Sequence, residues 1–194
     1  LFTTLETAVE LDRLGRRFYP RRGLFFSIGR RDWGILQPDA AMKNFLWKGR
    51  GALFLPLGRA IAAIVVEGGF AHGRVPLLLR RHIGGENTLR GHEFGAFAGE
   101  RSIVQRTELR VPLNFSELAD IGNPMVLVDL HVFWDAGAAW NRPEAFDTDL
   151  IHSGFGCGMH FIPRAGLIYR ITRLKTDPGM RSGSSSAGPT KPVW

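Results

Sequence analysis

The chain has 194 residues, 44% hydrophobic and 22% charged, with 24 Gly, 14 Phe and a formal charge of +7. That length holds one ordinary domain, and that balance excludes a disordered or low-complexity polymer. Its basic residues are scattered, with short clusters at Arg16-Arg17, Arg21-Arg22 and Arg80-Arg81-His82, rather than concentrated as a nucleic-acid partner would require.

No apolar run reaches the roughly 18 residues of a transmembrane helix, but a membrane strand needs only about 9–11 residues with apolar side chains at alternate positions. The single Cys157 excludes an intrachain disulfide and a Cys-based zinc site, and reads as a small side chain on a strand. The chain opens Leu1-Phe2-Thr3-Thr4 with neither an initiator Met nor a signal peptide, and is expected to be a fragment that starts inside a strand.

A period of two, which sends alternate side chains to opposite faces of a sheet, recurs along the chain. Leu5, Thr7, Val9 and Leu11 alternate with Glu6, Ala8, Glu10 and Asp12, and Pro20 to Gly23 turn the chain into a strand over Leu24 to Arg31. Asn44 to Leu55 places Phe45, Trp47 and Leu53 opposite Asn44, Lys48 and Arg50; Leu57-Gly58-Arg59 then turns tightly into Ala60 to Ala71. After a long irregular stretch, Ser102 to Leu113 alternates again, with Arg106, Glu108 and Arg110 facing away from Gln105, Thr107, Leu109 and Val111. Residues 125–138 show the pattern most clearly, Val128, Leu130, Val132 and Trp134 against Asp129, His131, Phe133 and Asp135, and further strands fit Ser153 to Ile162 and Gly166 to Leu174.

A soluble sandwich would alternate too. Two details favour an antiparallel transmembrane β-barrel instead. Charged residues recur at mid-strand on one face (Glu6, Glu10, Lys48, Arg50, Glu67, Arg106, Glu108, Asp129 and Asp135), as a polar lumen would require. Connections also alternate in length: Leu57-Gly58-Arg59 and Pro163-Arg164-Ala165 are short, whereas residues 72–101 and 139–151 are long. About eight strands are expected, with a ninth in question at the end; the pattern leaves open a small closed barrel or half of a larger one.

The long connection holds His82-Ile83-Gly84-Gly85-Glu86-Asn87-Thr88-Leu89-Arg90-Gly91-His92-Glu93-Phe94. Gly84 and Gly85 permit a sharp reversal and Gly91 a close approach. Arg90, if buried, needs carboxylate partners, which Glu108 and Asp135 could supply; a solvated arginine on a Gly-rich surface loop is the plain alternative. Gly84-Gly85-x-x-Thr88-Leu89-Arg90-Gly91, then Thr107 to Leu113, then Phe133-Trp134-Asp135-Ala136-Gly137, resemble in order and spacing the bacterial surface antigen superfamily of BamA- and TamA-type outer-membrane assembly factors and two-partner-secretion transporters.

The resemblance implies the C-terminal half of a sixteen-stranded barrel over residues 1–175, with residues 72–101 folded into the lumen. By the same resemblance Arg90 is the loop-tip arginine, Asp135 its partner on the wall, Glu108 a second acidic contact, and Gly91 and Gly137 the motif glycines; the motif's aromatic position is His92. It implies a Gram-negative outer-membrane location, contact with outer-membrane lipids and with client outer-membrane or secreted proteins, and periplasmic domains upstream that this chain lacks. Where the family ends in a closing strand, residues 176–194 carry Ser182 to Ser186, Pro189 and Pro192, and a degenerate or disordered tail is expected. A passive porin is the competing reading. No enzyme activity, cofactor, metal or nucleic-acid partner is expected: Asp129 and His131, which share a face with Asp135 and suggest an acid–base or metal cluster, are equally explained by a polar wall.

Overall fold

The computed structural model describes residues 2–15, 19–35, 44–73, 75, 80–113, 126–143, 145–163, 168–176 and 189–190. Nine strands form one antiparallel sheet in the order β1 (Phe2–Leu14), β2 (Gly23–Ile35), β3 (Phe45–Leu57), β4 (Ala60–His72), β7 (Arg101–Leu113), β8 (Val126–Trp140), β9 (His152–Pro163), β10 (Ile168–Thr176) and β11 (Pro189–Thr190). Each long strand pairs with its neighbour in sequence except where a separate ribbon, β5 (Arg81–Ile83) with β6 (Phe97–Gly99), interrupts the meander between β4 and β7. No helix among the described residues is long and apolar enough to cross a membrane, which says nothing of a β-barrel.

The eight long strands fall where the alternation placed them, most of them extended by a few residues, whereas β3, β8 and β10 begin one or two residues later than expected and end later too. The ninth is only two residues, Pro189 and Thr190, paired with Tyr169 and Ile168. Apart from Thr176, Pro189 and Thr190, the tail from 176 to 194 lies outside the described residues.

Register explains the charged face. Glu10 lies opposite Ser27, Ser27 opposite Arg50, Arg50 opposite Glu67, Glu67 opposite Val104 and Val104 opposite Gly137. Directly opposed residues share a face, so this row and its even-numbered steps gather Glu6, Lys48, Arg106, Glu108, Asp129 and Asp135 with Glu10, Arg50 and Glu67. The β5–β6 ribbon packs on this same inner face, against β7 and β8. Below it an apolar cluster of Ala52, Phe54, Ala63 and Val65, joined by Leu14 and Phe25, fills the inner side of β1 to β4.

The outer face is the reverse: Phe26, Leu53, Val66, Leu109, Val132, Trp134 and Phe155 are all exposed. A water-soluble protein rarely leaves so continuous an apolar sheet uncovered, whereas hydrocarbon is the solvent that suits it. Near one strand end of this side Arg30 forks onto Asp32 at 2.6–3.0 Å and its guanidinium lies over the Phe45 ring, as at a membrane–water boundary. Cys157 is exposed on this face, opposite Val132.

The tight turn is made by Gly58, whose φ of +63° suits the first position of a two-residue hairpin loop between Leu57 and Ala60. Val132 sits mid-strand on the outer face, so Val132→Arg should lower unfolding free energy in lipid vesicles by about 2–4 kcal/mol. Val132→Leu should stay within about 0.5 kcal/mol of the wild type. A negligible effect of the arginine in a urea titration would mean that this face does not meet hydrocarbon.

Candidate functional site: the loop latch on the inner wall

Between β5 and β6 the chain folds into a compact tip. Gly84, Gly85, Gly91 and Gly95 all have positive φ, and a Cβ at Gly84 would run into the Glu93 carbonyl, so that reversal tolerates only glycine. The Thr88 hydroxyl accepts from the Gly84 N–H and donates to the Gly84 carbonyl, both at 2.8 Å, and the Gly85 N–H donates to the His92 carbonyl at 3.0 Å. These bonds drive Leu89 into a dry contact with Ile83 and Val104, all three almost fully buried. The sequence motif is thus a folding instruction: two glycines and a threonine close the turn, and the leucine anchors it.

Arg90 follows the anchor onto the wall. Its Nε and Nη2 donate to the two Asp135 oxygens at 2.7 and 2.8 Å, its Nη1 donates to Glu108 Oε2 at 2.6 Å, and its backbone N–H donates to Asp135 Oδ2 at 3.1 Å. The guanidinium lies 3.7 Å from the Phe133 ring centroid, two residues before Asp135 on the same face. Arg90 is 4% exposed and Asp135 0%, so the pair is withdrawn from water. Burial works against the charged guanidinium, but the Asp135 and Glu108 carboxylates outweigh it and hold its pKa above the ordinary arginine value.

Two carboxylates around one arginine would leave an unbalanced buried charge. The balance comes from Arg110, whose Nε donates to the other Glu108 oxygen at 2.6 Å. Glu108 therefore bridges two guanidinium groups, and the four buried side chains sum to zero. Arg106 extends the row, 3.5 Å from Glu67.

Neighbouring strands leave room for the tip. A Cβ at Gly137 would meet the Ile103 carbonyl at 3.0 Å and the Ile83 side chain at 3.4 Å. On β9, Gly154, Gly156 and Gly158 lie opposite Asp135, Phe133 and His131, so β9 offers bare backbone on the inner face. The Arg90 carbonyl rests where a Gly154 Cβ would be. His92, in the position the sequence motif gives to an aromatic, donates from Nε2 to the Ser153 carbonyl at 3.0 Å and packs edge-on to Phe97 and His152, themselves stacked at 3.7 Å. The imidazole keeps the ring contact and adds a hydrogen bond to β9.

The structure brings together Arg90, Gly91, Asp135, Glu108 and Gly137, with Gly84 and Gly85 at the base of the tip. Sequence reading missed Arg110, Phe133 as a ring under the arginine, and Gly154. The alternation of glycine at 154, 156 and 158 was the visible signal for the last. Toward the β1–β2 turn the inner wall continues through Asp129, His131 and His160. There burial, with the nearby Asp129 carboxylate adding to it, pushes the Tyr19 phenol far above its ordinary pKa.

The Omp85 superfamily domain matches residues 2–167. No curated protein matches the sequence. Matches extend to 55 chains of solved structures. Among them is the crystal structure of BamA from Haemophilus ducreyi lacking POTRA domains 1–3, with a TM-score of 0.72 at 16% identity, covering 96% of this chain and 40% of that one. The chain thus spans two-fifths of the length of that relative. The antiparallel wall, the loop docked on its inner face and the match over residues 2–167 make this chain a member of the Omp85 superfamily, carrying part of an outer-membrane β-barrel.

Proposed function

We propose that the chain forms the C-terminal wall of an outer-membrane pore that inserts or exports client proteins, with the Arg90 cluster as the latch that fixes the β4–β7 loop inside it. The observation that carries this reading is the buried, charge-balanced contact of Arg90 with Asp135 and Glu108. A passive channel would share the wall and the charged lumen without needing the latch, and the superfamily match over residues 2–167 favours assembly or export. Client strands would be received at the seam beyond β10, where among the described residues β11 pairs with only Ile168 and Tyr169. Family membership supports contact with outer-membrane lipids and client proteins.

The reading is tested by reconstituting the protein in liposomes and following the folding of an unfolded β-barrel client by protease protection. Client insertion above that of empty liposomes is the expected result. No acceleration, together with a large stable conductance that Arg90→Ala leaves unchanged, would identify a passive porin.

Arg90→Ala strips the buried Asp135 of its forked donor and leaves Glu108 with Arg110 alone, and should cost about 3–5 kcal/mol of stability, with client insertion falling in parallel. The swap of Arg90→Asp with Asp135→Arg should recover part of both. Loss in the swap equal to or greater than in the single variants would count against direct pairing. Gly154→Val attacks the same docking without touching a charge: its side chain needs the space of the Arg90 carbonyl, so protease cleavage within residues 84–96 should rise several-fold while the sheet persists by circular dichroism.

A further inference from the structure

On the outer, apolar face the strands leave a groove of about 770 Å3 near the end that carries the long loop. Its floor is bare backbone. Gly49 on β3 lies directly opposite Gly68 on β4, and Gly51, two residues on, shares the facing of Gly49. Ile28 on β2 and Ile103 on β7 flank this row and stand exposed as its walls. Trp47, Phe70 and Trp140 bound it toward the loop end.

Two of these glycines have no reason inside the fold. Neither Gly49 nor Gly51 has a positive φ, and a Cβ on either would meet nothing within 4 Å. Gly68 alone is crowded, its Cβ reaching the Ser102 carbonyl at 3.2 Å. Glycine in a strand gives up side-chain packing and backbone order, so an unforced pair marks a place where something outside approaches the backbone. On a face that meets hydrocarbon, that something is an acyl chain. From Trp47 to Gly51 the strand advances about 13 Å, which keeps the floor within the roughly 15 Å of one leaflet.

The rim selects the headgroup. Arg101 lies directly opposite both Phe70 and Trp140, in the row that also holds Trp47. Arg30, opposite Trp47 in the same row, has its charge held by Asp32. Arg101 has no hydrogen-bond or ion-pair partner among the described residues. An arginine held between aromatic side chains at the membrane boundary suits a phosphate, which accepts two guanidinium N–H groups at once. We propose that this groove holds one acyl chain of an anionic lipid whose headgroup phosphate, uncompensated by a cation of its own, sits on Arg101. Long loops face outward in such barrels, so the lipid belongs to the outer leaflet. An ordinary belt of boundary aromatics needs no bare floor beneath it. The inference rests on this face meeting hydrocarbon, which Val132→Arg tests separately, and is independent of client insertion.

The test is tryptophan quenching by dibrominated lipid in the full chain refolded into phosphatidylcholine vesicles. Trp47 and Trp140 line the groove and report its occupant. Dibrominated phosphatidylglycerol should show a relative binding constant about fivefold above that of dibrominated phosphatidylcholine, the worth of one arginine near an anionic surface. Arg101→Gln should bring the two lipids level. Gly49→Leu fills the floor without touching a charge and should abolish the same preference. Circular dichroism confirms that each variant folds; if Gly49→Leu does not, Gly51→Leu takes its place. Equal quenching by the two lipids in the unaltered chain overturns the proposal. A preference that survives Arg101→Gln or the filled floor overturns it equally, and assigns the selectivity to a general basic belt.

Discussion

Everything on the inner wall depends on keeping a buried guanidinium neutralised. Removing Arg90 from water costs several kcal/mol unless its donors are met and its charge is balanced. Asp135 accepts from Nε, Nη2 and the backbone N–H at once, Glu108 accepts from Nη1, and Arg110 supplies the second positive charge that Glu108 needs. The partners come from a loop and two paired strands, so none of them can settle alone. The cluster specifies one arrangement of loop on wall, because any slip along the strands would bury an unmatched ion.

Such a contact also requires that the backbone come close, and the chain meets this by leaving side chains out. Gly137 on β8 and the glycines at alternate positions of β9 form a shallow trough into which the Arg90 peptide fits. Facing outward, the same β9 segment places Phe155 and Cys157, so the strand is bare on one side and apolar on the other. Polar chemistry faces the loop, hydrocarbon chemistry faces away, and the period of two keeps them apart.

That period is why so much of the fold was legible in the sequence. Val128 to Asp135 alternate apolar with polar at every position but Phe133, a pattern that a strand sorts onto two faces. The long strands and the shared face of Glu67, Arg106, Glu108 and Asp135 follow directly. The loop was a different matter: periodicity says nothing about where an irregular segment docks, and Arg90 was tied to Asp135 and Glu108 through resemblance rather than spacing. Arg110 was read as one more charge on the polar face, since neutrality of a cluster is a property of the assembled neighbours. His160 escaped notice because its proximity to Asp129 depends on the β8–β9 register, which no local pattern states. The ribbon of β5 and β6 was hidden by its length, three residues a strand being too few to show alternation.

The trough of β9 has a consequence for the order in which the molecule is put together. Glu108 and Asp135 become neighbours once the β7–β8 pair has formed, a contact close in sequence and cheap in chain entropy. The floor on which the Arg90 peptide rests exists only after β9 has joined β8. A nascent wall that stops at β8 offers the arginine its countercharges but not its seat, and one lacking β8 offers neither. Seating of the loop therefore records that β7, β8 and β9 have all arrived in register, so the loop serves the chain as its own inspector before the barrel is complete.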